Sequence, residues 1–305
     1  MKNQTIYEKA LSAIILRNKT YISSLKEYTV YREDMGRYYD TQRAAYSWRD
    51  YKIPTQVAAI EAIKRLTPQD TLTINEMQRW LLQQKRTQAW DTPINSADAV
   101  YAFLDGNSQT LAPQPKTVIA IDGKPIDTSE ATAGIGYVKT AMPAANAKKL
   151  TAEKTSTGTS WGAVYAQFFQ PAADIDDQHS GISVKRELLG SKELRVGDKV
   201  TVRITIEADR DYDFVQVQDK RAACMEPVRQ LSGYVWQKGY YCAPKDNVTN
   251  YYFDQLSKGR HTIETEYYVD REGTYETGSC TAQCAYSPEF RGTTKSITIN
   301  VQPRQ

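Results

Sequence analysis

The hydrophobic period changes part-way along this chain, and that change limits what it can fold into. Up to residue 108, apolar residues recur at helical spacing, about every 3.6 positions. Beyond Pro113 and Pro115 they alternate with a period of 2. A chain of 305 residues favours two or three domains. The expectation is a helical first part followed by β parts.

In the first part, Thr5-Ile-Tyr-Glu8 has the pattern of a capping box. It opens a helix that carries Ile6, Ala10, Ala13 and Ile14. A second helix carries Tyr21, Leu25 and Tyr28, and Met35 to Tyr51 reads as a loop rich in aromatics. Pro54 suits the first turn of a third helix, striped by Val57, Ile60 and Ile63. Thr73-Ile-Asn-Glu76 reads as a second capping box, ahead of Met77, Trp80 and Leu81. A last helix runs from Ser96 through Val100, Tyr101 and Leu104, with Gly106 as its C-terminal cap. Short helices joined by modest loops stack as helical hairpins. Five of them are too few to close a ring, which leaves an open end at residue 1 and suggests a truncated chain.

Beyond the prolines, Thr117 to Ile121 reads as a strand that runs into an Asp122-Gly123 turn. Gly134 to Thr140, Leu150 to Thr155 and Trp161 to Phe169 are further strand candidates. This block is small for an independent β domain. Pro171 to Ser180 reads as an acidic linker; Asp174, Asp176 and Asp177 lack the glycine and distal glutamate of a calcium loop. From residue 182 to 302, strand patterns and turn residues alternate. Val200, Val202, Ile204 and Ile206 are the clearest run, and the pattern predicts about seven strands of an antiparallel sandwich.

Composition excludes several function classes. A net charge of +3 with no dense basic run does not suit nucleic-acid binding. No segment reaches the ~18 apolar residues of a membrane span, and the N-terminus has no signal-peptide h-region. No phosphate loop or nucleophile elbow is present, and His179 and His261 are isolated, so no cofactor, metal or enzyme activity is expected. Asp34, Asp40, Asp50 and Asp91 lie in loops but share no spacing rule that would mark a glycosidase. Tyrosine outnumbers phenylalanine 21 to 6, which suits half-buried strand faces and contact surfaces. Tyr38, Tyr39, Tyr46, Trp48 and Tyr51, with Trp80 and Trp90, pack loops against helix ends or line a sugar or peptide groove. Asn247-Val-Thr249 has the pattern of a glycosylation sequon. All four cysteines, Cys224, Cys242, Cys280 and Cys284, lie in the sandwich region and are disulfide candidates. Cys280 and Cys284 would share a strand face.

Three blocks carry a likeness to a known family. Asp219-Lys-Arg-Ala-Ala-Cys-Met-Glu-Pro227, with Gln230-Leu-Ser-Gly233, resembles the last macroglobulin domain of bacterial alpha-2-macroglobulin-like proteins. So do Tyr251-Tyr-Phe-Asp-Gln-Leu-Ser-Lys-Gly259, and Gly273-Thr-Tyr275 followed by Ala285-Tyr-Ser-Pro-Glu-Phe-Arg-Gly292. Asp219, Arg221, Glu226, Pro227, Tyr286, Pro288, Glu289 and Phe290 are its motif residues here. Glu76 to Lys85, Gln88-Ala-Trp90 and Ser96 to Phe103 look like the closing helices of the family's thioester-type toroid.

The resemblance implies a multidomain fold, α then β. A partial α/α toroid would cover residues 1–110, a CUB-like β segment 111–175, and the last macroglobulin-like β-sandwich 181–303. It also implies a parent protein outside the cytoplasm that traps proteases. The partners would be upstream domains of that parent and, through it, target proteases. Tyr38, Tyr39, Trp48, Tyr51 and Trp90 would be contact residues of the toroid. The family's thioester requires Cys-x-x-Gln. Cys280-Thr-Ala-Gln283 matches it in spacing only and falls on an expected strand. The alternatives are a surface adhesion or glycan-binding module and a toroid glycosidase.

Overall fold

The computed structural model describes residues 3–40, 51–87, 90, 92–105, 117–127, 139–141, 143, 147–155, 160, 162–167, 169–171, 174–190 and 193–304. It divides into two compact units, residues 1–83 with 90–168 and residues 84–89 with 169–305.

The described residues form five helices: α1 (Ile6–Leu16), α2 (Thr20–Glu27), α3 (Lys52–Leu66), α4 (Thr71–Thr87) and α5 (Pro93–Leu104). The capping box at α1 forms as expected: the Thr5 hydroxyl accepts from the Glu8 N–H (3.1 Å), and Glu8 Oε2 accepts from the Thr5 N–H (2.7 Å). The second box does not form. Helix α4 starts three residues earlier, at Thr71, and the Asp70 carboxylate accepts from the Thr73 N–H (3.4 Å). Glu76 is held instead by Arg37 (2.7 Å). Helix α5 also starts early, capped by the Thr92 hydroxyl with Pro93 in its first turn. Gly106, its expected C-terminal cap, lies outside the described residues.

Where an aromatic loop was expected, the chain makes a hairpin of β1 (Thr29–Arg32) and β2 (Gly36–Tyr39). Gly36 makes this possible. Its φ is +91°, and a Cβ there would sit 2.3 Å from the Glu76 carbonyl oxygen, so only glycine lets the turn lie on α4. Residues 41–50 are not among those described.

Helix α3 packs against α1, α2 and α5 and buries nine of its residues, so its stripe widens to most of its circumference. Buried polar groups join the elements. The Gln56 side-chain amide donates to the Arg37 carbonyl (2.9 Å) and to that of Met77 (3.2 Å). Lys64 and Gln78 both donate to the Ala102 carbonyl, at 2.7 and 2.8 Å. This satisfies an acceptor that the C-terminus of α5 would otherwise leave unpaired. The described residues thus show five packed helices, the coarser part of what was expected of residues 1–110.

A small antiparallel sheet follows, with β3 (Val118–Ile121) between β4 (Lys124–Pro125) and β5 (Leu150–Glu153). Asp122 and Gly123 both have positive φ, 49° and 80°, as the turn signal predicts. Of Gly134 to Thr140, residues 134–138 lie outside the described residues. Of the strand expected over 161–169, the described residues 162–167 are exposed and belong to no ladder.

The second unit is a β-sandwich. Its strands are β6 (Gln178–Ser180), β7 (Ile182–Leu189), β8 (Leu194–Arg195), β9 (Lys199–Ala208), β10 (Tyr212–Lys220), β11 (Met225–Pro227), β12 (Gly233–Val235), β13 (Tyr240–Pro244), β14 (Val248–Leu256), β15 (Gly259–Val269), β16 (Gly273–Glu276), β17 (Cys280–Cys284), β18 (Arg291–Thr293) and β19 (Thr298–Gln302). Eleven form one ribbon in the order β11-β15-β9-β7-β6-β18-β17-β10-β14-β13-β12, and the other three form a separate sheet in the order β16-β19-β8.

The ribbon folds over at β6, so that β7 faces β17 and β18. The corner residue is Gly181, with φ +71°; a Cβ there would meet the Tyr212 hydroxyl at 2.3 Å. The acidic stretch expected to be a linker is therefore part of the domain. Its end is β6, and the Asp177 carboxylate accepts from the Lys295 N–H (2.7 Å). Val200, Val202, Ile204 and Ile206 alternate into the core as predicted, opposite Val215, Val217, Tyr251 and Phe253.

Candidate functional site

The motif residues of the last domain do not converge on one site. Asp219 and Arg221 meet at one place. Asp219 lies on the inward face of β10, and Arg221 follows the strand directly. Arg186, on the inward face of β7, reaches across the sandwich to the Asp219 carboxylate (2.9 Å), and both side chains are at most 2% exposed. Arg186 also donates to the Lys220 carbonyl (3.0 Å), the Thr277 hydroxyl (2.7 Å), and the carbonyls of Gly278 (2.5 Å) and Lys295 (3.0 Å). Arg221 donates to the carbonyls of Met225 (3.1 Å), Asp246 (2.8 Å) and Lys245. Burial pushes the Asp219 carboxyl upward, and Arg186 opposes that shift.

Around this pair, the Tyr267 hydroxyl meets Thr249 (3.1 Å) and the Tyr251 hydroxyl meets Thr265 (2.5 Å). The buried Thr249 hydroxyl belongs to the sequon pattern, so that pattern lies partly inside the core. The cluster ties β7, β10 and the segments after them into one polar centre. The Cys280 thiol hydrogen-bonds to the Asp219 carboxyl; both groups are buried, and burial raises that thiol well above its ordinary range. Arg186 was missed in the sequence. The available signal was a charged residue at an inward position of β7, four along from Ile182.

The other motif residues lie elsewhere. Phe290 is buried against Tyr212 (ring centroids 5.6 Å apart), with the Arg210 guanidinium 4.8 Å from its ring. Tyr286 is exposed and meets Phe214 edge-on (5.3 Å). Pro288 and Glu289 are half-buried, Glu226 is exposed on β11, and Pro227 is buried beside it.

All four cysteines are free thiols, so the expected disulfide is not formed. Cys280 and Cys284 do share the inward face of β17. Four residues along one strand set them roughly 13 Å apart, beyond the reach of a bridge. Burial pushes all four thiols up from the ordinary thiol range. Gln283 faces the opposite side of the sheet from Cys280, so Cys280-Thr-Ala-Gln283 cannot close a thioester.

Of the expected toroid contacts, Tyr38 and Tyr51 meet other rings of the helical part. Tyr38 stacks on Trp80 (5.8 Å, interplanar angle 11°), and Tyr7 and Tyr51 lie 6.2 Å apart. Tyr39 is buried, which pushes its hydroxyl well up. Trp90 is half-buried, and Trp48 and Tyr46 lie outside the described residues. So do Asp50 and Asp91, while Asp34 pairs with Arg32 (3.0 Å) and Asp40 is exposed. Among the described residues, no group of His, Cys, Asp and Glu is placed to hold a metal ion. No helix there is long and apolar enough to cross a membrane.

Residues 172–289, which span most of the sandwich, match the family described as "Bacterial Alpha-2-macroglobulin MG10 domain". The chain is similar to the bacterial alpha-2-macroglobulins. Among solved structures, trypsin-activated alpha-2-macroglobulin from Escherichia coli is 13% identical, covers 83% of this chain and 19% of its own, and has a TM-score of 0.48. The elastase-activated Escherichia coli protein is 14% identical, covers 98% of this chain and 28% of its own, with a TM-score of 0.45. A methylamine-reacted Salmonella alpha-2-macroglobulin is also 14% identical, covers 98% and 22%, and has a TM-score of 0.40. With TM-scores below 0.5, these structures add no argument, and the similarity rests on the MG10 match over residues 172–289. The chain thus spans between 19% and 28% of the length of these structures. No curated protein matches it.

Proposed function

We propose that this alpha-2-macroglobulin-like chain is the C-terminal portion of a bacterial endopeptidase inhibitor of the trapping kind, and that its own contribution is structural. The MG10 match over residues 172–289 carries this reading. The buried Arg186–Asp219 pair supports it, because a cluster so fully enclosed stiffens a domain and does no chemistry. In this reading residues 1–110 are the closing helices of a thioester-type toroid, 111–175 a CUB-like segment and 181–303 the final macroglobulin domain. Upstream domains of the parent are the immediate partners, proteases are met through the whole protein, and the parent works in the periplasm or at the cell surface. The chain itself is not an enzyme.

The test compares the complete gene product with residues 1–305, each incubated with trypsin. A trap suppresses hydrolysis of a large protein substrate and spares that of a small chromogenic peptide. The complete product is expected to show that difference, and residues 1–305 to inhibit neither reaction. A complete product that leaves protein hydrolysis untouched, or a gene that codes for these 305 residues alone, refutes the reading.

A further inference from the structure

The two outer faces of the sandwich differ in chemistry. The face made by β7, β9 and β15 carries paired charges: Arg203 with Glu264 (2.7 Å), Arg260 with Glu207 (2.6 Å), and Lys185 with Glu187 (2.8 Å). Such a ladder is a solvated surface whose groups already have partners.

The face made by β12, β13, β14, β10 and β17 is neutral along its middle. The strand register aligns Tyr234 with Tyr241, Tyr241 with Tyr252, Tyr252 with Gln216, and Gln216 with Gln283. Trp236 extends the row beside Tyr234, with ring centroids 4.5 Å apart. Trp236 is 85% exposed, Tyr241 42% and Tyr252 41%. Four strand spacings make the row roughly 19 Å long.

Beside the rings lies a cluster of amides. Asn250 Oδ1 accepts from both Gln216 (3.3 Å) and Gln218 (3.2 Å), and Gln216 also reaches the Tyr252 hydroxyl (3.4 Å). These bonds orient the two glutamines and leave each with a carbonyl oxygen. Gln216, Gln218, Thr281, Gln283 and Ala285 line a shallow open depression.

We infer that this face binds a neutral oligosaccharide laid across the strands from Trp236 to Gln283. Sugar rings offer apolar C–H faces that stack on exposed aromatic rings, and hydroxyl groups that both donate to and accept from amides. The match of charge selects the occupant. The row provides no counter-charge for a phosphate, an acidic glycan or a basic peptide. Three of its rings carry hydroxyls and the row then passes into amides, where a lipid surface would require an unbroken apolar tip.

The test applies residues 1–305 to an array of neutral oligosaccharides that includes cellohexaose, maltohexaose and N-acetylated chitohexaose. The best ligand is then titrated with the Trp236 fluorescence as readout, supported by calorimetry. At least one sugar is expected to bind. Tyr241→Ala and Tyr252→Ala should each weaken binding tenfold or more. Tyr241→Phe should retain most of it, and Glu264→Ala on the charged face all of it. Binding should be insensitive to salt, because no ion pair is formed. Gln283→Ala is the second probe of the row should a tyrosine variant melt early. Retention of no neutral sugar, equal binding by Tyr241→Ala and Tyr252→Ala, or binding only to charged glycans or lipid vesicles overturns the inference.

Discussion

Replacing Asp219 with asparagine tests the reading of the sandwich centre most directly. The change keeps the shape and removes the one carboxylate that faces Arg186. A guanidinium that stays charged is then buried without its counter-ion, and breaking such a pair costs about 3–5 kcal/mol. The remaining bonds of Arg186 go to the Thr277 hydroxyl and to carbonyls, which solvate the cation only in part. The assay follows from the cysteines, all of which lie in this domain. Cys224 is fully buried, and its thiol is raised by burial and by Asp270, so Asp219 does not set its reactivity. Alkylation of Cys224 therefore reports opening of the sandwich alone, whatever the helices do. At about 1.4 kcal/mol per tenfold, Asp219→Asn should speed labelling of Cys224 by roughly a hundredfold to a few thousandfold. Labelling within about threefold of the parent rate would mean that the pair is not what holds the two sheets, and would refute the reasoning.

Arg186→Met gives the complementary result. It removes the group that opposes the upward shift of Asp219, so the folded-state pKa rises further above the unfolded value. Stability of that kind is present below the unfolded pKa and is lost as pH rises through the folded pKa. The penalty should be small near pH 4 and grow toward neutrality in urea melts at several pH values. Gly36→Ala drives a methyl group into the Glu76 carbonyl at a φ that alanine resists, and should destabilise the helical unit by roughly 2 kcal/mol, seen as faster amide exchange in the β1–β2 hairpin. Asp70 is held below the ordinary carboxylate range by Lys26 and by the Thr73 N–H. Its contribution should be present above the unfolded carboxylate pKa and vanish as pH falls through the folded one, and Asp70→Asn should flatten that slope by roughly 0.5–1 kcal/mol in acid unfolding curves.

The parts that could be read from the sequence were those set by local physics. The Thr5–Glu8 capping box, the Asp122-Gly123 turn and the alternation of Val200 to Ile206 each depend on neighbours in the chain, and each took the form its residues dictate. The failures have long-range causes. Thr73 and Glu76 have capping-box spacing, but Asp70 reached the Thr73 N–H first and Arg37 took the Glu76 carboxylate. The β1–β2 hairpin was invisible because Gly36 is explained only by the α4 backbone beneath it. Asp177 read as solvated linker because its partner, the Lys295 N–H, is 118 residues away. Arg186 was hidden for the same reason, since nothing near it in sequence shows that Asp219 lies opposite. The neutral row of the sheet exists only once the register sets Tyr241, Tyr252, Gln216 and Gln283 side by side.

The eleven-stranded ribbon ends at β11 on one side and at β12 on the other, and each is three residues long. An open edge with bare N–H and C=O groups invites another molecule's strand, and long sheets with such edges stack into fibres. Here the folding of the ribbon at β6 moves the long strands inward, and Pro227 leaves β11 one donor short. Neither edge of the ribbon is thus long enough to template the growth of a second sheet.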